Sequence, residues 1–415
     1  MSALFSPVRI GSFEAPNRLW LPAMVTWLSN DAGEVTEAVR DRYVRYARGG
    51  VGTMVLEAMG VRDVASGPLM RIGHDRYVPG LRDLVARVKD AGDTRVMPQV
   101  IDFLRIARRD PTRTLARLEA GHPGCSTWTE DELRARLSPR AWRDYAWGWR
   151  EQIEDLSDDA VRAIPGYFAA AARRAREAGF DGVELHFAHA YTVASFLSAT
   201  NRRDDEWGGP LEHRARLALD IVAAVRAEVG RDFTVGCRIL GSDAVPGGSD
   251  VADACVLGAW LAAAGLDFVS VSRGGRFEDA KRPAVGKAAY PYTGPSGEAC
   301  MPGPDAPEGV NLPYAAAVRA AVRASGLDVP IVGAGRIHTV QGAEDALRRG
   351  ACDLVGMARA LLADPDWPMK ARDGHGDTIR TCRYTNVCEA FDRAHLPVRC
   401  QLWMKHPSGG LHPPD

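Results

Sequence analysis

His186, His189 and Tyr191 close a short apolar run, Asp181-Gly182-Val183-Glu184-Leu185-His186-Phe187-Ala188-His189-Ala190-Tyr191. Two neighbouring imidazoles can donate hydrogen bonds to a carbonyl oxygen or an oxyanion. A nearby phenol can deliver a proton to an acceptor that becomes basic during a reaction, despite its high reference pKa. Histidines also bind metals, but no carboxylate pattern completes such a site here and no metal ligand is assigned. A purely structural histidine pair is the other reading of this spacing. Elsewhere, Gln99 offers one amide donor and one acceptor to an imide-like ring edge, and Arg238 offers a fixed cation to an anionic ring or oxygen. Gly333-Ala334-Gly335-Arg336 and Gly356-Met357-Ala358-Arg359 are small-residue turns, each followed by arginine. Their backbone N–H groups can approach an anion closely, which suits a phosphate; tight turns with surface arginines are the plainer alternative.

These side chains need a scaffold that brings distant segments together. Apolar, branched runs at 19–24, 52–58, 95–100, 182–187, 233–240, 268–272, 329–333 and 354–357 alternate with stretches of helical period at 35–49, 78–91, 157–178, 210–229, 249–264, 312–325 and 339–349. Near-continuous apolar strands imply burial on both faces, hence parallel pairing under helices. Eight such units in order predict a (β/α)8 TIM barrel of the α/β class, whose sites gather at the C-terminal strand ends. The rival is a doubly wound dinucleotide-binding sheet. It requires a glycine-rich turn after the first strand, where the chain has Pro22-Ala23-Met24-Val25-Thr26. Two stretches break the rhythm. The insertion 102–156, after the third strand, carries Trp128, Trp142, Trp147 and Trp149 and suits a lid or a dimer contact, or surface elaboration. The segment 273–311, after the sixth strand, includes Tyr290-Pro291-Tyr292-Thr293-Gly294-Pro295 and reads as a long active-site loop. Residues 1–370 thus form the barrel domain and 371–415 a C-terminal tail.

With 415 residues and a formal net charge of −1, the charges interleaved along the chain, nothing points to a nucleic-acid or anionic-membrane surface. There is no basic leader followed by an apolar run and no long apolar stretch, so a soluble cytoplasmic protein acting on a small molecule is expected.

In the order of its motifs, the chain resembles the Old Yellow Enzyme family of FMN-dependent NAD(P)H:flavin oxidoreductases. The motifs are Pro16-Asn17-Arg18, Pro22-Ala23-Met24, the His186/His189/Tyr191 group, 201–209 and 356–365. They look most like the branch holding 2,4-dienoyl-CoA reductases and trimethylamine dehydrogenase. The resemblance implies that Pro22, Ala23, Met24, Ala58, Gln99 and Arg238 surround the flavin ring, and that Ala334, Gly335, Ala358 and Arg359 hold its phosphate. It further implies that His186 and His189 bind the oxygen of an activated substrate and that Tyr191 protonates the carbon alpha to it. Hydride then passes from NAD(P)H to flavin N5 and on to the beta carbon, in an ene-reductase or a dehydrogenase running the same step backward. The alternative within the resemblance is an amine dehydrogenase or demethylase that passes electrons to a separate protein. Such relatives often form homo-oligomers. The chain departs from the family's pattern at Val25, where a threonine or cysteine commonly tunes the flavin, at Asp102, where a histidine is common, and at Phe187 and Ala190, where glycines are frequent.

In that branch Cys-x2-Cys-x2-Cys and a later Cys hold a [4Fe–4S] cluster. Here Cys382-Arg383-Tyr384-Thr385-Asn386-Val387-Cys388 and Cys400 place Thr385 where the second cysteine belongs, and a hydroxyl is a poor substitute for a thiolate at iron. A cluster with an unusual fourth ligand, zinc completed by His395, and free buried thiols are the readings this leaves. Without a secure cluster, direct reduction of FMN by NAD(P)H is expected.

Overall fold

In the computed structural model, residues 2–64, 67–103, 118–139, 141–142, 145, 152–282 and 290–404 are described. The chain starts with an antiparallel hairpin, β1 (Val8–Ile10) and β2 (Phe13–Ala15). Eight parallel strands follow: β3 (Leu19–Leu21), β4 (Thr53–Gly60), β5 (Arg95–Ile101), β6 (Gly182–Phe187), β7 (Thr234–Leu240), β8 (Phe268–Ser272), β9 (Ile331–Ala334) and β10 (Leu354–Gly356). They pair in sequence order, and β10 closes on β3 through Val355 opposite Leu19 and Gly356 opposite Trp20, giving a closed eight-stranded barrel. The α/β barrel expected from the alternating pattern is therefore the observed architecture, with strand and helix ends within a few residues of the expected ones.

The two strand faces explain why these runs are apolar throughout. On β6, Val183, Leu185 and Phe187 pack outward into the main core beneath the helices, while Glu184 and His186 take the alternate positions that point inward. The helices Asp158–Glu177 and Leu211–Val229 cover this side, and Phe168 meets Phe187 with ring centroids 6.2 Å apart. Ser157 caps the first of these helices by accepting the Ala160 amide, with Asp158 and Asp159 beside the positive helix end. Among the described residues, no helix is long and apolar enough to cross a membrane.

The hairpin was not foreseen in the sequence, because its two three-residue strands are too short for a period to show. It plugs the barrel floor: Ile10, Phe13 and Ala15 join Trp20, Val55, Met97, Phe268, Val332 and Leu354 in one buried cluster. Ser12 and Ile10 also bond to Thr234 Oγ1, at 2.9 and 3.1 Å.

In the insertion, Leu118, Cys125, Leu133, Leu137 and Tyr145 form a small separate core with Trp128 and Trp142 against it. Arg282, from the segment after β8, pairs with Glu130 and lies over the Trp142 ring. Trp147 and Trp149 lie outside the described residues. The segment after β8 is not wholly irregular, since Pro295–Cys300 forms a short helix.

Phe268 is fully buried and meets Trp20 edge-on at 4.9 Å, joining the plug to the barrel floor. Phe268→Ala should lower unfolding stability by about 3–5 kcal/mol in urea titrations. A loss below about 1 kcal/mol would mean that the floor does not rely on this ring.

Candidate functional site

Strand ends at the opposite, C-terminal mouth surround a cavity with about 1200 Å³ of atom-free space, counted out to its solvent opening. Its wall contains Pro22, Ala23, Met24 and Val25 after β3, Ala58 on β4, Gln99 on β5, His186 on β6 and Arg238 on β7. His189 and Tyr191 follow β6, Ala334 and Gly335 end β9, and Ala358 and Arg359 follow β10. All thirteen residues that the sequence singled out for chemistry or cofactor binding thus border one cavity, although they are drawn from seven strand ends.

Gln99 donates through Nε2 to Glu184 Oε1 at 2.7 Å, so the two inward positions of adjacent strands interlock. His186 Nε2 and His189 Nδ1 lie 3.2 Å apart, and His189 Nε2 lies 2.9 Å from Ser272 Oγ, which also accepts from Arg238 Nη2 at 3.3 Å. Burial, reinforced by the Arg238 charge, holds both imidazoles well below the ordinary histidine pKa. Both rings are therefore neutral near pH 7, able to donate from one nitrogen without adding positive charge. Burial pushes the Glu184 carboxyl upward, with Arg238 and Gln99 acting in the other direction.

Three buried polar atoms here have no protein partner: His186 Nδ1, Glu184 Oε2 and Arg238 Nε. Leaving such atoms unmatched is costly, and His186 and Arg238 border the cavity while Glu184 is bonded to the lining Gln99, so the group points to a polar ligand. Apolar Pro22, Ala23, Met24 and Ala58 supply a surface for a flat ring. At the far end, the guanidinium carbons of Arg336 and Arg359 lie 4.8 and 4.7 Å from the centroid of the Tyr384 ring. Donor set, apolar wall and cationic end together fit a planar heterocycle carrying an anionic group.

His189 takes a left-handed backbone conformation, φ 60°, uncommon for a non-glycine residue. Arg276 holds the turn by donating to the carbonyls of His189 and Ala194, at 2.9 and 3.2 Å, while its own charge faces Asp243 and Glu278. Sequence reading missed Arg276. Its signal was the glycine-then-arginine pattern, Gly274-Gly275-Arg276, directly after a barrel strand, as at Gly335-Arg336. Glu184, Ser272, Cys300 and Tyr292 were likewise not singled out, although each contacts or borders the histidine pair or Gln99. Asp102, in contrast, is paired with Arg62 at 2.9 Å and is not among the cavity-lining residues.

The tail also borders the cavity, through Tyr384, Cys388, Glu389, Asp392 and Val398. Asn386 accepts from Arg359 and donates to the Met301 carbonyl, tying the tail to both the cationic end and the segment after β8. Cys382, Cys388 and Cys400 pack with Trp27, Val398 and Trp403 in an apolar cluster. Burial raises all three thiols, Cys388 to about 11. Among the described residues, no three His, Cys, Asp or Glu side chains stand together as a metal-holding group. With Thr385 in the ligand register, these residues do not fit a [4Fe–4S] cluster.

Behind the Met24 wall, a register shift between Leu56 and Ala58 turns Ala58 inward and leaves Glu57 facing Thr26. Glu57 accepts from Thr26 N at 3.0 Å and Thr26 Oγ1 at 2.6 Å, with Tyr43 and Arg42 nearby.

A family model described as the NADH:flavin oxidoreductase / NADH oxidase family matches residues 3–378. The chain is 30% identical over 384 residues to a metal reductase of Desulforamulus reducens, covering 92% of this chain and 50% of that protein. It is also 30% identical over 407 residues to an NADH oxidase of Thermoanaerobacter brockii, covering 96% and 55% respectively. The chain thus spans about half the length of these curated relatives. Among solved structures, a 2-naphthoyl-CoA reductase complex shares the fold with a TM-score of 0.77 at 22% identity, over 96% of this chain and 56% of that one.

Desolvation, opposed by the Thr26 hydrogen bonds, raises Glu57 from its ordinary 4.5 to about 7. The folded protein therefore keeps this proton when the unfolded chain has lost it, and stability falls as pH rises through that window, then levels. Glu57→Gln cannot ionise, so its melting temperature relative to the parent should climb from about pH 5 to about pH 8, by the equivalent of about 3 kcal/mol. A constant offset across that range would refute the assignment.

Proposed function

The chain belongs to the NADH:flavin oxidoreductase / NADH oxidase family, and from that premise we propose that it is an FMN-dependent NAD(P)H oxidoreductase acting on a carbonyl-activated carbon–carbon double bond. The observation that carries this reading is the neutral His186/His189 pair, with Tyr191 beside it, on the cavity wall where His186 and Arg238 have unmatched atoms.

Pro22, Ala23, Met24 and Ala58 would bear one face or edge of the flavin ring. Gln99 and Arg238 would meet its polar rim, and Ala334, Gly335, Ala358 and Arg359 would hold the phosphate. Bound FMN supplies the two-electron hydride chemistry, for which no side chain of this site is competent. The protein's own contribution is to orient, polarise and protonate.

An imidazole N–H from the pair can donate to the substrate carbonyl oxygen and stabilise the negative charge that develops there. Because both rings are neutral, this hydrogen bond assists without moving a proton to that oxygen prematurely. Tyr191, nearly buried and packed edge-on against Phe103 at 5.7 Å, has its ring beside that of His186, with centroids 5.1 Å apart. It would protonate the carbon alpha to the carbonyl.

A second reading, oxidation of an amine with electrons leaving to a separate protein, is favoured by Glu389 and Asp392, carboxylates that border the same cavity. Flavin bleaching by methylated amines, rather than by NADH or NADPH, would select it.

Stopped-flow measurements on FMN-loaded protein separate the two halves of the proposed cycle. In Tyr191→Phe, flavin reduction by NAD(P)H should stay within about twofold, whereas reoxidation by an activated alkene should slow by about 100-fold. Equal slowing of both halves would remove Tyr191 from the proton-donor role.

A further inference from the structure

Tyr292, in the segment after β8, is built into the site in a way the assigned roles do not use. Its ring faces His189 with centroids 5.7 Å apart, its side chain hydrogen-bonds Tyr191, and it borders the cavity. Two glycines make room for it. A Cβ at Gly275 would come within 2.6 Å of the Tyr292 ring, and φ there is 78°; a Cβ at Gly297 would lie 2.2 Å from the Tyr292 backbone. Behind it, Tyr290 packs edge-on at 5.3 Å and donates its hydroxyl to Asp392 of the tail. Asp392 in turn accepts from Trp27 Nε1 at 2.6 Å, which fixes the carboxylate against the segment after β3.

We propose that Tyr292 is a positioning residue for proton transfer: its hydroxyl donates to the Tyr191 oxygen and makes the Tyr191 phenol a stronger acid, while Asp392 holds the arrangement through Tyr290. The inference deepens the function proposed above, and it rests on Tyr191 being the proton donor there.

The direction of the hydrogen bond follows from the role assigned to Tyr191. Burial, the neighbouring Tyr191 and Cys300, and the hydrogen bond to Tyr191 all act to keep the proton on Tyr292, well above the ordinary tyrosine range. A Tyr191 hydrogen aimed at the alpha carbon leaves the Tyr191 oxygen as the acceptor and Tyr292 as the donor. A donor aimed at that oxygen stabilises phenolate more than phenol and lowers its basicity. Tyr191 also has ring contacts with the neutral His186 and His189 and the apolar Phe103, and Tyr290 lies near enough to interact with it. During the step, the Tyr191 O–H bond breaks and a C–H bond forms at the alpha carbon as hydride from NAD(P)H, relayed through the cofactor, reaches the beta carbon. The O–H electron pair stays on Tyr191 as phenolate, Tyr292 retains its proton, and solvent restores the phenol between turnovers.

Two measurements test this separately. The alkaline tyrosinate difference spectrum of the parent protein against Tyr191→Phe isolates the ionisation of Tyr191. The spectrum of Tyr292→Phe against the Tyr191→Phe/Tyr292→Phe double variant isolates it without the donor. The second midpoint should lie higher by about one pH unit; coincident midpoints would overturn the proposal without touching the assigned reaction. In FMN-loaded Tyr292→Phe, alkene-driven reoxidation near neutral pH should slow about tenfold and its alkaline loss should move to higher pH, with NAD(P)H-driven reduction unchanged. Asp392→Asn should shift the Tyr191 midpoint the same way by a smaller amount, and no shift would overturn the Asp392 arm. If Tyr191→Phe leaves reoxidation intact while the midpoints still separate, the functional reading fails and the phenol pair stands.

Discussion

Closing eight parallel strands into a ring sends alternate side chains of each strand toward one axis, and this constraint organises the molecule. At the floor the inward residues are apolar, with Trp20, Val55, Met97, Phe268, Val332 and Leu354 packing against the hairpin. One or two positions further along the strands they turn polar: Gln99, Glu184, His186, Arg238 and Ser272. The same alternation sends Val183, Leu185, Phe187, Val235, Cys237 and Ile239 outward into the helical layer. A dry floor and a polar mouth are thus two ends of one strand geometry, and burial at the first supports the rigidity needed at the second.

At the mouth, burial sets the chemistry. A guanidinium raises the cost of any further positive charge nearby, and Arg238 acts on both buried histidines in that way. The imidazoles remain neutral hydrogen-bonding groups, suited to polarising an oxygen. Ser272 is shared between His189 and Arg238, so one hydroxyl orients two of the polar side chains. The left-handed turn at His189 is maintained by the buried Arg276, whose own charge is balanced by Asp243 and Glu278. Removing either side of that arrangement would leave an uncompensated buried charge and would release the turn that carries both His189 and Tyr191.

The tail packs against the barrel mouth. Its thiols fill an apolar cluster, and its polar residues reach outward: Asn386 to Arg359 and Met301, Asp392 to Trp27 and Tyr290. These contacts fasten three sectors of the barrel mouth to one another.

Much of this protein was legible along the chain because strand and helix periods are local properties. The eight apolar runs, the helices between them and the placement of His186, His189, Tyr191, Gln99 and Arg238 at strand ends follow from side-chain alternation and strand order alone. Gly335-Arg336 and Ala358-Arg359 were recognisable for the same reason, lying within three residues of strand ends. The hairpin plug escaped because three-residue strands carry too little period to be seen. Arg276, Ser272, Tyr292 and Asp392 escaped for a deeper reason: each matters through a residue far away in sequence, and no local pattern records which hydroxyl will meet which imidazole. Sequence therefore determined the barrel and the chemical types gathered at its mouth. Only the tertiary structure decided that burial beside Arg238 leaves the histidines neutral, that a second phenol lies against Tyr191, and that the tail borders the cavity, because desolvation and long-range hydrogen bonds exist only once the ring has closed.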